Sequence, residues 1–188
     1  TYGVAKETDT LVILDDSIVR GTTLKKSILR ILDRLKFKKI IVVSSAPQIR
    51  YPDCYGIDMA KLGDFIAFKG LISLLNKTDS GKNKIQEIYK KCKNALTNKT
   101  KNQKNHLVEL YDQFTDSQIS NEIAALLKTK NIDAEFDVIF QKVSDLHKAC
   151  PNHKGDWYFT GKYPTPGGNL IANKSFVYYI EGNDSRAY

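Results

Sequence analysis

The chain has 188 residues, of which 41% are hydrophobic, enough to build the core of one compact unit of ordinary domain size. Its 29 lysines and arginines against 21 acidic residues give a formal net charge of +8 at pH 7. No apolar run approaches the ~20 residues that a membrane-spanning helix needs, and no signal peptide precedes the first predicted strand. We therefore expect a soluble, cytoplasmic protein with no membrane partner.

The excess of positive charge is concentrated between residues 77 and 104, where lysine and asparagine alternate with helix-forming residues. A basic domain can bind nucleic acid by displacing counterions from phosphates, but this stretch lacks exposed aromatic residues on a sheet. A solvated, lysine-rich helix face is the simpler interpretation, so no nucleic-acid partner is expected. The three cysteines, Cys54, Cys92 and Cys150, are too few and too widely spaced for a disulfide framework.

The first predicted element is an aliphatic strand that ends in two acids. Residues 11–14 are all aliphatic, as in a strand of a parallel sheet that is buried on both faces. Asp15 and Asp16 follow at its carboxyl end, which is where such sheets bind ligands. The two carboxylates can accept hydrogen bonds from a vicinal diol or bind Mg²⁺.

A Gly-Thr-Thr turn, residues 21–23, leads from the acids into a predicted helix. Its backbone N–H groups and hydroxyls lie at a helix N-terminus, where a phosphate is favoured. Apolar residues recur at helical spacing over residues 24–35, and a second buried strand is predicted at residues 40–43. This succession is typical of a doubly wound parallel α/β fold. A plain turn followed by a helix cap would explain the Asp-Asp and Gly-Thr-Thr pairs taken singly.

Four further helices are predicted from apolar spacing. The first, residues 59–75, is strongly apolar and is expected to cover one face of the sheet; the second, residues 85–96, would bury Cys92. Residues 107–114 and 119–127 follow, with Thr115 or Asp116 as the N-cap of the last helix. Together these helices predict a helical appendage to the sheet.

The C-terminal part begins with alternating residues at 135–141, which predict a peripheral strand. Residues 151–169 are rich in proline, glycine and aromatics and are predicted to be irregular, and residues 175–181 to form a short final helix. The chain thus divides into three parts: a sheet-forming part at 1–76, a helical part at 77–134 and a C-terminal part at 135–188.

The thirteen residues 11–23 closely resemble the signature of type I phosphoribosyltransferases for phosphoribosyl pyrophosphate (PRPP). Three further strings resemble the amidophosphoribosyltransferase family: SSAPQIRYP at residues 44–52, YGIDM at 55–59 and FTGKYPT at 159–165. The tail, which ends in RAY, is also similar to a C-terminus of that family. The resemblance runs from Tyr2 to Tyr188 and is weakest between residues 76 and 134.

The resemblance implies the committed step of purine synthesis, in which ammonia from glutamine displaces pyrophosphate from PRPP to give phosphoribosylamine. By position, Asp15 and Asp16 would hold the ribose hydroxyls and take part in binding Mg²⁺, while residues 17–23 would wrap the 5′-phosphate. No covalent nucleophile is required of this loop, so no catalytic residue is assigned. The expected binding residues for PRPP and purine nucleotides are Asp15, Asp16, Ser17, Ile18, Val19, Arg20, Gly21, Thr22 and Thr23.

The resemblance further implies that parts of the family's fold lie outside this sequence. A phosphoribosyltransferase sheet needs strands before the first one here, and only nine residues precede Thr10. The family's glutaminase domain, pyrophosphate loop and flexible flap have no counterpart. We therefore expect a C-terminal fragment with an α/β, doubly wound sheet truncated on its N-terminal side. The fragment is expected to be inactive alone, to need the glutaminase domain of the same protein and, like the family, to form homo-oligomers.

The sequence contains candidate ligands for two kinds of metal site. His147, Cys150 and His153 have side chains suited to Zn²⁺, but only three candidates lie close together and Pro151 interrupts them, so this question stays open. Some family members carry a cysteine-ligated Fe–S cluster. Here Cys54 has a suitable position, but the expected Cys-x-x-Cys pair corresponds to Gly155 and Tyr158, so no Fe–S cluster is expected.

Two other functions remain open at this stage. Another PRPP-dependent enzyme, such as a nucleobase phosphoribosyltransferase, would have a similar loop but no reason to carry the strings at residues 55–59 and 159–165. A non-catalytic module could bind purine nucleotides through the same loop, because they share its ribose 5-phosphate. Binding and turnover measurements distinguish these cases.

Overall fold

The computed structural model describes residues 7–54, 59–98, 103–153 and 155–187. Its centre is a three-stranded parallel sheet in the order β1-β2-β3. The strands pair in register, so that Leu14 lies beside Val43 and Val43 beside Ile139. The predicted α/β class with a parallel sheet is confirmed. The strands are β1 (Thr10–Asp15), β2 (Lys39–Ser44) and β3 (Glu135–Phe140).

Eight helices accompany the sheet in the described part of the chain. A π-helical stretch, Leu24–Ile28, continues directly into the first of them, and a single 3₁₀ turn, Leu62–Asp64, precedes the second. The helices are α1 (Leu29–Asp33), α2 (Ile66–Asn76), α3 (Gly81–Thr97), α4 (Val108–Tyr111), α5 (Asp116–Leu127), α6 (Val143–Ala149), α7 (Trp157–Thr160) and α8 (Pro166–Glu181).

The helices α2–α5 lie in the connection between β2 and β3, which are neighbours in the sheet. Helix α5 packs against β3, α2 packs against α5, and α3 packs against α8. The region at residues 77–134 is therefore part of the crossover between two paired strands and not an appendage. Helix α2 makes its main contact with α5, and α5 packs on β3; cover of one face of the sheet by residues 59–75 stays a prediction.

One hydrophobic core joins the three parts of the chain. Ile40 and Val42 of β2 are fully buried. The core cluster that contains them also includes residues from the helical part and from the C-terminal part. Burying a side chain of this size contributes about 1.5–3 kcal/mol, so the shared core holds sheet and helices together. The division at residues 76 and 134 stays a prediction. Core members from the other parts include Leu24, Leu29, Phe68, Ile88, Leu110, Leu127, Phe136 and Phe176.

The second face of the sheet differs from the expectation of strands buried on both sides. Val12 is 56% exposed and Leu14 78% exposed, so the prediction for residues 11–14 is wrong for this face. In register with them, Ile139 of β3 is 50% exposed. Aliphatic composition alone does not say what covers a face. Helices on both faces and the specific type I arrangement stay predictions.

The C-terminal helix begins well before the predicted residue 175. Thr165 caps α8, its Oγ1 accepting a hydrogen bond from the Gly168 N–H at 3.2 Å, and Pro166 occupies the first turn, where its missing N–H costs nothing. Helix α7 and the start of α8 also lie within residues 151–169, for which the composition predicts irregular structure. Every helix in the described part of the chain is too short or too polar to span a lipid bilayer.

Candidate functional site

A cavity of about 650 Å³ lies at the carboxyl end of β1. Eight of the nine predicted binding residues line it, namely Asp15 and residues 17–23. The lining is completed by Leu24, Ile28 and Met59, which sequence reasoning did not assign to the site. Leu24 and Ile28 follow the turn directly. Met59 belongs to the string at residues 55–59, whose first four residues lie outside the described part of the chain.

The carboxylates of the two acids hold the start of the loop. Asp15 Oδ1 accepts the Asp16 N–H at 3.0 Å, and Asp16 Oδ1 accepts the Ser17 N–H at 2.6 Å. Asp15 lines the cavity, whereas Asp16 is exposed and is not part of the lining. Oδ2 of each acid makes no hydrogen bond to the residues that the structure describes, which leaves both oxygens available to a ligand.

The two residues that follow β2 form hydrogen bonds with the backbone of the acid pair. The Ser45 hydroxyl donates to the carbonyl oxygen of Asp15 at 3.0 Å and lies 3.3 Å from that of Asp16. Backbone N–H groups of Ser45 and Ala46 donate to the same two carbonyls. The backbone of the acid pair is therefore fixed by four contacts from one short segment. Ser45 lies in the string at residues 44–52, but its contact with the loop is visible only in three dimensions.

The middle of the loop is tied to helices distant in sequence. The Ile66 N–H donates to the Val19 carbonyl at 2.8 Å, and the Ile18 side chain is 4% exposed. Gly21 has φ +65°, in the left-handed region, and a Cβ there would lie 2.7 Å from Leu127 Cδ2. Glycine meets both requirements because it has no Cβ. The start of α2 and the end of α5 thus set the shape of the loop.

The end of the loop combines a helix start with nearby positive charge. Residues 22 and 23 already have helical backbone, so the N–H groups of this first turn have no partner within the helix. Arg20, about half exposed, forms an ion pair with Asp64 at 3.7 Å, and Lys25 Nζ donates to the Leu126 carbonyl at 2.6 Å. A phosphate placed here would meet backbone donors and exposed cations.

The string at residues 44–52 packs against the string at residues 159–165 and against Tyr158, which directly precedes it. The N–H groups of Arg50 and Tyr51 donate to the Tyr158 carbonyl at 2.8 and 3.1 Å. The Tyr163 hydroxyl donates to the Pro52 carbonyl, and burial raises the pKa of this phenol well above its ordinary value, so it stays protonated. The string at residues 159–165 therefore supports the segment that follows β2.

The possible zinc ligands line another cavity, of about 360 Å³. His147, Cys150 and His153 share this cavity with Asp156, and His147 Nε2 lies 3.1 Å from Asp156 Oδ2. No three such side chains are arranged to hold a metal ion anywhere in the described ranges. Cys54 is half-buried, and the absence of an Fe–S cluster stays a prediction.

Comparison with known proteins gives one consistent result. No protein-family model matches the chain. Amidophosphoribosyltransferases from Pasteurella multocida and Haemophilus influenzae are each 47% identical to this chain over 58 residues, which is 31% of the chain and 11% of each relative. The resemblance to amidophosphoribosyltransferases is confirmed. The Escherichia coli amidophosphoribosyltransferase matches at 44% identity over 57 residues, and that of Saccharomyces cerevisiae at 41% over 69 residues.

The confirmed similarity to amidophosphoribosyltransferases is local. In these four relatives the match takes up 30–37% of this chain and 11–12% of the relative. A match of this extent fits a C-terminal part that carries the PRPP motif. The wider resemblance, from Tyr2 to Tyr188, stays a prediction outside the matched stretch.

Proposed function

We propose that this chain is the PRPP-binding, C-terminal part of an amidophosphoribosyltransferase. The full protein transfers ammonia derived from glutamine to PRPP, giving 5-phosphoribosylamine, pyrophosphate and glutamate, the first step of de novo purine synthesis. The whole reaction is a proposal because the matched stretch covers about a ninth of each relative.

One observation carries the proposal: Asp15 and residues 17–23 line a single cavity at the carboxyl end of a parallel strand. Parallel α/β sheets bind their ligands at this edge. The cavity offers a carboxylate at one end and a helix start at the other. These are suitable partners for the hydroxyls and the phosphate of a ribose 5-phosphate. Local similarity to amidophosphoribosyltransferases supports the same assignment.

In this proposal Asp15 and Asp16 accept hydrogen bonds from the ribose hydroxyls. Residues 17–23 surround the 5′-phosphate, with N–H groups of the first helical turn as donors and Arg20 as a countercharge. Ser45 holds the acid pair in place through its contacts with the two carbonyl oxygens. Purine nucleotides would occupy the same cavity because they carry the same ribose 5-phosphate.

The acid pair also fits Mg²⁺. Oδ1 of each carboxylate accepts one backbone N–H, and Oδ2 of each remains for a cation. Mg²⁺ is commonly bound by one or two carboxylates together with water and substrate phosphates, so two acids suffice. When bound, the ion supplies positive charge that stabilises departing pyrophosphate. The loop itself positions the ribose for a transition state of oxocarbenium character and needs no covalent nucleophile.

We further propose that this chain alone does not turn over PRPP. The stretch that matches the relatives covers only 11% of their length. The chain's partners would be the glutaminase domain of the same protein and further copies of that protein. The proposal places it in the cytoplasm, without an Fe–S cluster and without nucleic-acid or membrane partners.

The test is calorimetric titration of the full 188-residue chain with PRPP and Mg²⁺, and separately with AMP and GMP. The double variant Asp15→Asn, Asp16→Asn should lose most of its affinity, since each removed charged hydrogen bond contributes about 1.5–3 kcal/mol. The matched control is Asp79→Asn, Asp145→Asn, which changes the net charge equally at two exposed positions outside the cavity. It should bind as the wild type does.

Two results would overturn this proposal. Equal nucleotide and PRPP affinity in the wild type and the Asp15, Asp16 double variant would show that the acids do not hold the ribose. Formation of phosphoribosylamine from PRPP and ammonia by the chain alone would contradict its expected inactivity. Binding that is lost in the control variant as well would assign the effect to net charge and not to the loop.

A further inference from the structure

A second, separate cavity of about 540 Å³ opens at the carboxyl end of β3. Its walls come from the segment after β2, the first turns of α5, the second half of β3 with the segment that leads into α6, and Phe159 of α7. Gln48, Arg50 and Phe159 line it; they belong to the family-like strings at residues 44–52 and 159–165, and none of the three lines the loop cavity. No residue lines both this cavity and the loop cavity.

Arg50 is held rigidly in the wall of this cavity. Its side chain is 15% exposed, and its guanidinium carbon lies 5.0 Å from the centre of the Tyr111 ring. Nε and Nη2 donate to Gln48 Oε1 at 3.1 and 2.7 Å, and Nη2 also donates to Asp116 Oδ1. Nη1 has no hydrogen-bond acceptor within the described part of the chain, so two N–H donors of a mostly buried cation remain for a ligand.

The amide of Gln48 is fixed as well. Gln48 is 3% exposed, and its Nε2 donates to the Asp116 carbonyl at 2.9 Å and to Ser120 Oγ at 2.8 Å. These bonds turn Oε1 toward the guanidinium of Arg50. Arg50 therefore needs no rearrangement before it binds an acceptor, and a pre-organised donor costs little entropy on binding.

The charges around the cavity favour a ligand with one negative charge. Two cations, Arg50 and Lys142, and two acids, Asp116 and Asp137, line it. Asp116 forms an ion pair with Arg50. Asp137 forms an ion pair with Lys39 at 2.5 Å, and Lys39 does not line the cavity. Lys142 forms no ion pair with any residue that the structure describes. A phosphate monoester, with a charge of about −1.5 to −2, would meet the Asp116 carboxylate with more repulsion than a carboxylate would.

We propose that this cavity binds a small carboxylic acid that also carries hydrogen-bonding groups, such as a hydroxy acid or an amino acid. Its carboxylate accepts hydrogen bonds from Arg50 Nη1 and Lys142. The Ser117 hydroxyl and the Asn121 amide form hydrogen bonds with the other polar groups of the ligand. Phe140 and Phe159, which also line the cavity, contact its apolar part. This site is independent of the PRPP loop and does not rest on the function proposed above.

The test is a titration of the full chain followed by backbone ¹H–¹⁵N NMR, with sodium lactate, L-serine and sodium phosphate as separate probes at constant ionic strength. Probe concentrations up to about 50 mM cover millimolar affinities. Lactate or serine should cause saturable shifts at residues 116–121 and 140–144, and phosphate should bind more weakly. Shifts at residues 17–23 instead would report the loop cavity and would overturn the assignment to Arg50.

Two variants and a control define the site. Lys142→Gln, at an exposed position, should weaken lactate or serine binding about two- to fivefold, the effect of losing one exposed ion pair. Arg50→Lys keeps the charge but removes the planar donors and should abolish saturable binding. Lys148→Gln is the control, because Lys148 is an exposed lysine outside the lining and should leave the affinity unchanged.

The proposal fails if neither carboxylate gives saturable shifts, if phosphate binds more tightly than both, or if Lys142→Gln binds like the wild type. Should Arg50→Lys not fold, Lys142→Gln alone decides, because its exposed side chain does not contribute to the core. The same shift pattern with the same affinity for all three probes would also overturn the proposal.

Discussion

Gly21 packs so closely on Leu127 that a Cβ added to it would lie 2.7 Å from Leu127 Cδ2. Leu127 is fully buried at the end of α5, and Gly21 has φ +65°. The predicted phosphate loop therefore contacts the end of a helix that lies about a hundred residues further along the sequence.

The first prediction concerns Gly21→Ala. Alanine is unfavourable at the left-handed backbone conformation of this position, which costs about 1–3 kcal/mol. Its Cβ would also clash with the Leu127 side chain. The free energy of unfolding in urea should fall, and PRPP affinity should fall with it. Gly167→Ala is the control, since a Cβ there has only an ordinary contact at 3.9 Å with Thr165 Oγ1. Equal unfolding midpoints for the wild type and Gly21→Ala would refute the close approach.

The second prediction concerns Ser45, whose hydroxyl donates to the carbonyl of Asp15. Ser45→Ala should weaken PRPP binding roughly two- to tenfold, the effect of one lost hydrogen bond of about 0.5–1.5 kcal/mol. Ser45→Thr keeps the hydroxyl and should restore most of the affinity. In Ser80→Ala, a control at an exposed helix start without a side-chain cap, binding should not change.

This experiment on Ser45 rests on the proposed PRPP site, so unfolding is measured in parallel. Loss of affinity with an unchanged unfolding midpoint supports the positioning role. If Ser45→Ala and Ser45→Thr bind PRPP equally well, the hydroxyl does not position the acid pair, although the loop can still be the binding site.

The third prediction concerns pH and the buried acid Glu122. Burial raises the pKa of this carboxyl, but hydrogen bonds from Lys77 and Ser73 outweigh burial and hold it below the ordinary value. A carboxyl with a lowered pKa in the folded state stabilises the fold above its unfolded pKa, about 4.3, and this contribution is lost as pH falls through the folded pKa.

Lys77→Met should therefore destabilise the protein by about 1 kcal/mol at pH 7, a modest value because the lysine side chain is 61% exposed. The difference from the wild type should shrink as the pH is lowered below about 4. Urea unfolding across this pH range measures it, and Lys82→Met, at an exposed helix position, is the control. A difference that stays constant with pH would contradict the ion pair as its cause.

The fourth prediction separates two cysteines by reactivity. Burial, with a smaller effect from Glu109, raises the pKa of the Cys92 thiol to about 12, so almost no thiolate exists at pH 7. Cys150 is exposed. Iodoacetamide followed by mass spectrometry should label Cys150 quickly and Cys92 only after unfolding, and Cys150→Ser should remove the fast reaction. Fast labelling of Cys92 in the folded protein would contradict its burial.

Local sequence signals predicted several elements well. The sequence predicts the N-cap of α5 at Thr115 or Asp116, and the structure has it at Thr115, which forms a capping box with Gln118. The alternation at residues 135–141 corresponds to β3. Both signals depend on hydrogen bonds or side-chain periodicity within a few residues, which is why the sequence alone was sufficient.

Features that depend on distant parts of the chain could not be predicted in the same way. Aliphatic character at Leu14 did not reveal its exposure, because exposure depends on what packs over that face. The motif located Asp15 and residues 17–23 at one cavity, yet the contacts of Ser45 and Leu127 with this loop arise only when β2 and α5 come together. Their sequence neighbours give no sign of these contacts.

The placement of α2–α5 between β2 and β3 has a consequence for how the molecule forms. Strands β1 and β2 are joined by a short connection and can pair early, whereas β3 must return across residues 45–134. Closing so long a loop costs conformational entropy before the pairing of β2 with β3 compensates for it. The folding rate is lower for this reason. During synthesis on the ribosome, β2 keeps one hydrogen-bonding edge open until residues 135–140 have emerged. If synthesis stops before that point, the unpaired edge of β2 can form hydrogen bonds with a strand of another chain, which promotes aggregation.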